Sequence, residues 1–245
     1  MNKQTLNHKE TINSNKELKT VTDLTNCVNF DQTLYIKNMV HEINNILSLI
    51  NSSLQIIESS HPETKDFKYW NTTMDDVQHL INLMSEISSF NSINSINPEP
   101  IDLVTQLDNI IESFTSNEDY SNVSIQLTSA NDIPVISADK TKLKQVFVNI
   151  IKNALEAFDD NKTEPAIHID LSCSDNNILI TITDNGCGIS SEQIETIFLP
   201  MVSYKSTGSG LGLSISKKII EAHQGTLRAE SSSDSGTSFY ISLPA

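Results

Sequence analysis

The chain has 245 residues, enough for one or two domains. Its formal net charge is −15 and its pI about 4.6, which argues against a nucleic-acid partner, because a phosphate backbone is held by a basic face. No stretch approaches the ~20 apolar residues of a membrane span, no apolar segment follows Met1 as in a secretory signal, and Cys27, Cys173 and Cys187 lack metal or redox spacing, which fits a reducing cytoplasm.

Residues 1–30 are polar and weakly patterned. Leu18, Val21, Leu24 and Val28 could make a short lead-in helix, and a disordered tail is the equal alternative. A long helix is expected from about residue 31 to 59. Ile36, Val40, Ile43, Leu47, Ile50, Leu54 and Ile57 alternate at spacings of 4 and 3, a coiled-coil-like seam with no polar interruption. His41 flanks that seam, about 100° round the helix from Val40. Asn45 stands one turn further on the same face. Pro62 ends the helix. A second helix is expected over about 65–90, carried by Phe67, Trp70, Met74, Val77, Ile81 and Met84. Two such helices hold more apolar face than one antiparallel hairpin can bury. The economical solution is a homodimer whose two hairpins form a four-helix bundle.

Pro98 and Pro100 mark a linker, so the expected division is 1–30 tail, 31–97 hairpin and 98–245 second domain. The later chain mixes periods of 3.6 and 2. Helices are expected over 101–114, 139–158, 190–198 and 211–223, with strands over 123–127, 133–136, 167–173, 178–183, 225–230 and 236–243. That is an α+β layer, a mixed sheet with helices on one face.

Four stretches of this second domain fit together. Asn149 and Asn153 share one face of an otherwise apolar helix, so both can address one ligand. Asp184-Asn-Gly186-Cys-Gly188 ends a strand. Its carboxylate suits an amino group such as adenine N6, although Asp-Asn-Gly is also ordinary turn chemistry. Ser203 and Lys205 are candidate phosphate contacts. Gly208-Ser-Gly210-Leu211-Gly212 opens a helix, where N–H groups and the positive end of the dipole favour phosphate. The chain holds seven glycines, none before Gly186, and five fall in these two clusters.

On these residues the chain resembles the two-component sensor histidine kinases from about residue 31 to the end. His41-Glu42-Ile43-Asn44-Asn45 resembles the family's H box. Gln145 to Ala157 resembles its N box, Asp184 to Gly188 its G1 box, and Gly208 to Leu213 its G2 box. The resemblance implies a helical hairpin for dimerisation and histidine phosphotransfer, followed by a Bergerat-type α/β sandwich that binds ATP. It implies ATP-dependent phosphorylation of His41 and transfer to an Asp of a response-regulator receiver domain, with dephosphorylation of that regulator as a further activity.

By the same resemblance His41 is the nucleophile, Glu42 its base, and Asn45 the residue that orients water for dephosphorylation. Asn153 would hold Mg²⁺ with Asn149 beside it, Asp184 would read adenine, and Lys205 with the Gly208–Gly212 backbone would hold the triphosphate. A sensor or input protein is a further expected partner. Three departures stand out. Ile46 replaces a common proline, Met201, Val202 and Tyr204 replace the usual loop residues, and Glu156 stands where many members carry a basic residue, although a subgroup reading Asn-Ala-x-Glu-Ala matches it. Two other readings compete: a dimeric phosphorelay or scaffold protein with impaired ATP use, and an ATP-hydrolysing member of the same superfamily. His8, His61, His79, His168 and His223 are read as ordinary structural or surface residues.

Overall fold

The computed structural model describes residues 38–92, 95–159, 163–205, 208–233 and 235–245. The expected lead-in helix and the seam position Ile36 lie outside them. The chain divides into two compact units, Met1–Asn91 and Ser92–Ala245.

In the first unit, helix α1 covers residues 38–60 and helix α2 covers Trp70–Ser92. Between them Pro62–Asp66 forms a 3₁₀ turn with Pro62 at its start, where the missing N–H costs nothing. Thr64 is buried in that turn and its hydroxyl donates to the His61 carbonyl at 2.8 Å. Glu58 fastens the turn: it accepts from Trp70 Nε1 at 3.0 Å and pairs with Lys65 at 2.9 Å. Those two partners hold its carboxyl below the usual range. The apolar seam is partly satisfied. Val40, Leu47 and Val77 are buried, whereas the seam positions Ile50 and Ile57 remain 43% and 42% exposed, and Ile46 and Leu49 are more open still.

The second unit is built on a five-stranded sheet in the order β2-β4-β5-β7-β6. Its strands are Ser124–Ser129 (β2), Ala166–Ser174 (β4), Asn177–Asp184 (β5), Thr226–Ser231 (β6) and Thr237–Pro244 (β7). Only β2–β4 is parallel; the other pairs are antiparallel. Helices α3 (Leu103–Thr115), α4 (Lys140–Leu155) and α6 (Gly212–Ala222) pack on this sheet and on one another. Alternate strand residues meet them: Ile167, Ile169 and Leu171, then Ile178, Ile180 and Ile182, then Phe239, Ile241 and Leu243 are all buried. Period-2 alternation in the sequence produces this one-sided core. Leu143, Val146, Phe147, Ile150 and Ile151 answer from α4, each contributing roughly 1.5–3 kcal/mol by burial.

Three local expectations shift. Glu99–Ile101 is a strand (β1), not plain linker, and pairs antiparallel with Ile136–Ala138 (β3). Pro98 and Pro100 hid it, because proline is a poor ladder member; a two-stranded ribbon has only edges, where proline is tolerated. The short helix expected over 190–198 is a single α-turn, Ser191–Ile194 (α5), continued by i→i−3 bonds from Thr196 N and Leu199 N. Helix α4 stops at Leu155, and its last turn tightens through Ala157 N and Phe158 N in the same way.

Candidate functional site

The candidate residues fall into two groups, one in each unit. On α1, His41, Glu42 and Asn45 are all exposed. Asn45 Nδ2 and His41 Nδ1 are 3.2 Å apart, the i,i+4 contact that helical spacing allows. The other ring nitrogen, Nε2, is thus the one left to reach outward from the helix.

The second group surrounds the end of α4 and the start of α6. Asp139 caps α4 by accepting from Lys142 N, and the helix carries Asn149 and Asn153 one turn apart on one face. Asn149 Nδ2 donates to Ser216 Oγ at 3.0 Å, and Ser216 Oγ donates to the Gly212 carbonyl at 3.0 Å. A Cβ on Gly212 would lie 3.0 Å from Asn149 Cγ, so glycine is what lets the start of α6 close onto this carboxamide. Side chains cap α3, α4 and α5, through Asp102, Asp139 and Ser190. Among the described residues no side-chain bond caps α6. Its first N–H groups and the positive end of its dipole therefore suit an anion.

Asp184 ends β5 and is buried. Its Oδ1 accepts from Gly186 N at 2.8 Å and Thr237 N at 3.2 Å. The same carboxylate that could read a base therefore also fixes the loop after it. Cys187 N donates to the Ala157 carbonyl at 3.0 Å, which ties that loop to the end of α4. A Cβ on Gly186 would fall 2.7 Å from Ala157 Cβ, closer than real atoms approach. Gly188 has φ +71 and backs against the Ser232 carbonyl.

In the loop before α6, Lys205 Nζ donates to Asn153 Oδ1 at 2.9 Å and to Glu156 Oε2 at 2.6 Å. Ser203 Oγ is engaged with Lys205, donating to its carbonyl at 3.1 Å and accepting from its N–H at 3.2 Å. Those two bonds shape the loop that carries Lys205. Gly210 has φ +70 and its carbonyl accepts from Met201 N at 3.0 Å. Leu211 is buried, and its N–H donates to Ser209 Oγ.

Residues 149–157, 184–188 and 203–212, far apart in sequence, thus meet toward the end of α4. Asn153 Oδ1 and Glu156 Oε2 already hold a cation between them, the Lys205 ammonium. An oxygen donor pair of this kind suits a hard divalent cation such as Mg²⁺. Sequence reasoning missed Thr237 and Ser216, small polar residues buried among apolar ones; that contrast was their only signal. His223 is buried and structural, accepting from Asp139 N at Nε2 and meeting the Ile219 carbonyl at Nδ1.

Residues 138–245 match the family described as histidine kinase-, DNA gyrase B-, and HSP90-like ATPases. Over 207 residues the chain is 31% identical to sporulation kinase E of Bacillus subtilis, covering 84% of this chain and 28% of that protein. It is 27% identical to the sensor histidine kinase ZraS of Escherichia coli, covering 84% of this chain and 44% of that protein. The chain thus spans less than half the length of these two relatives. Among solved structures, the catalytic domain of histidine kinase ThkA is 28% identical with a TM-score of 0.54, covering 60% of this chain and 95% of that one. Full-length ShkA in complex with AMPPNP has a TM-score of 0.74 at 20% identity, covering 85% of this chain and 45% of that one, a likeness of fold. Among the described residues no helix is long and apolar enough to cross a membrane.

Proposed function

The chain is a homologue of the sensor histidine kinases and carries their ATPase-family domain at residues 138–245, and from that premise we propose that it phosphorylates its own His41 from ATP and passes the phosphoryl group to an aspartate of a response-regulator receiver domain. The observation that carries this reading is the convergence at the end of α4: Asn149 against Gly212, Lys205 on Asn153, and buried Asp184 beneath the Gly186–Gly188 loop. Glycines at the close approaches leave backbone surface for a flat ring and a triphosphate.

In this mechanism Asp184 accepts from the adenine amino group while its Oδ1 keeps the loop closed. Lys205 and the first N–H groups of α6 hold the phosphates. Asn153 supplies an oxygen for Mg²⁺, which neutralises phosphate charge when bound. His41 Nε2 attacks the γ-phosphorus. A P–N bond forms, the bond to the β-phosphate oxygen breaks, and ADP leaves. For that attack Nδ1 must carry the ring hydrogen, and the Asn45 carboxamide can accept it through Oδ1, since an amide offers a donor on one side and an acceptor on the other. As the P–N bond forms, the proton on Nδ1 is the one to be lost, and Glu42 takes it while the Asn45 contact gives way. Transfer then breaks the P–N bond and forms a P–O bond on the regulator's carboxylate, and Glu42 returns its proton to Nδ1 so that neutral imidazole leaves.

A carboxamide is a poor base, so Asn149 does not activate water, and hydrolysis of ATP is slow beside transfer to His41. The exposed seam positions Ile50 and Ile57 support an antiparallel hairpin that pairs with a second copy into a four-helix bundle. Incubation with γ-labelled ATP, followed by mapping of the labelled residue, tests the reading.

A further inference from the structure

Glu156 is one departure to which the proposed function gives no role. It follows Asn153 by three residues, at the C-cap of α4, and so lies on the same side of the helix end. Its Oε2 is 2.6 Å from Lys205 Nζ, and its Oε1 is 3.8 Å from Lys152. Lys205 reaches it across 49 residues of sequence and at the same time bonds Asn153 Oδ1. The ammonium therefore stands on the very oxygen proposed for Mg²⁺, and Glu156 helps hold it there.

We infer that Glu156 is a positioning residue for Lys205 that makes nucleotide binding conditional on Mg²⁺. The inference rests on the ATP reading of this site. A triphosphate arriving without metal must draw Lys205 away from Glu156, leaving a bare carboxylate beside its own negative charge. A triphosphate arriving with Mg²⁺ brings a replacement cation to Asn153 Oδ1, next to Glu156. One cation is exchanged for another, and the carboxylate is never left facing phosphate alone. Like charges at such distances repel measurably even with solvent screening. A basic residue at this position would do the opposite and favour metal-free nucleotide.

The test is equilibrium binding of AMPPNP to the full chain, with Mg²⁺ and with EDTA, for the parent, Glu156→Gln and Glu156→Asp. The readout is the ratio of the two affinities. Glu156→Gln is expected to bind metal-free AMPPNP about three- to tenfold more tightly while its Mg²⁺-bound affinity changes less than about twofold, so the ratio falls. Glu156→Asp keeps the charge and should keep most of the ratio, which a purely steric role for the longer side chain would not produce. An unchanged ratio in Glu156→Gln overturns the role of Glu156 and leaves ATP binding intact. Failure of the parent to bind AMPPNP under either condition overturns the ATP reading and this inference with it.

Discussion

Asn45 Nδ2 lies 3.2 Å from Nδ1 of His41, one turn away on the same face of α1. The bond is exposed and competes with water, so it adds little to stability. It orients the imidazole, yet formation of phospho-His41 needs no ordered water. Dephosphorylation of a regulator does, and a carboxamide can align one water for in-line attack. Asn45→Ala should therefore keep autophosphorylation within about tenfold of the parent and lose most of the stimulated decay of a phosphorylated regulator. Following that decay with and without the protein checks it. Equal stimulation by parent and variant would remove the water-positioning role.

Asn153→Ala deletes the carboxamide oxygen that Lys205 now holds. Mg²⁺-dependent nucleotide binding should be lost. Asp184→Asn keeps an oxygen for Gly186 N and Thr237 N, so the loop should remain closed while the adenine contact weakens by roughly 1–3 kcal/mol. Comparing ATP with GTP affinity measures this. A variant that loses both equally would show that Asp184 acts only as a loop anchor.

Gly210 combines φ +70 with a place where a Cβ would lie 2.6 Å from Val202 N. Gly210→Ala must therefore move the 201–202 backbone or leave the left-handed region, and either displaces the approach to α6. AMPPNP affinity should fall about tenfold or more, a loss of about 1.4 kcal/mol. Parent-like affinity would show that this loop does not shape the phosphate site.

Asp139 joins three segments: it caps α4, accepts from Asn97 N at 3.0 Å, and offers its own N–H to His223. Burial opposes its charged form, but the N–H donors of Asn97 and Lys142 and the charge of Lys142 outweigh that, so its carboxyl sits below the ordinary 3.8. A carboxyl depressed on folding adds stability that is present above its unfolded value and lost as pH falls through the folded one. Asp139→Ala should cost about 1–2 kcal/mol at neutral pH, and the parent's advantage should shrink below about pH 4. Urea unfolding across that range checks it; a gap that does not narrow in acid would contradict it.

Much of this was legible before the structure. The 3–4 alternation from Val40 to Ile57 marks a helix with one apolar stripe, and the alternation in β4 and β5 marks strands with one buried face. Sparse glycine pointed to the loops at 186–188 and 208–212, because a residue without Cβ is needed where backbones nearly touch. What sequence could not carry was long-range pairing. Lys205 with Glu156, His223 with Asp139, and β1 with β3 join positions tens of residues apart, and no local period encodes them. Pro100 even argued against the strand it occupies.

The most direct measurement of the central claim is the site and chemistry of the label after incubation with γ-labelled ATP and Mg²⁺. A phosphoramidate is labile in acid and stable in base. The account predicts a label of that behaviour on His41, absent in His41→Gln, with AMPPNP affinity unchanged by the substitution because His41 and the residues proposed to bind nucleotide belong to different compact units. A label that persists in His41→Gln, or one that survives acid, would contradict it.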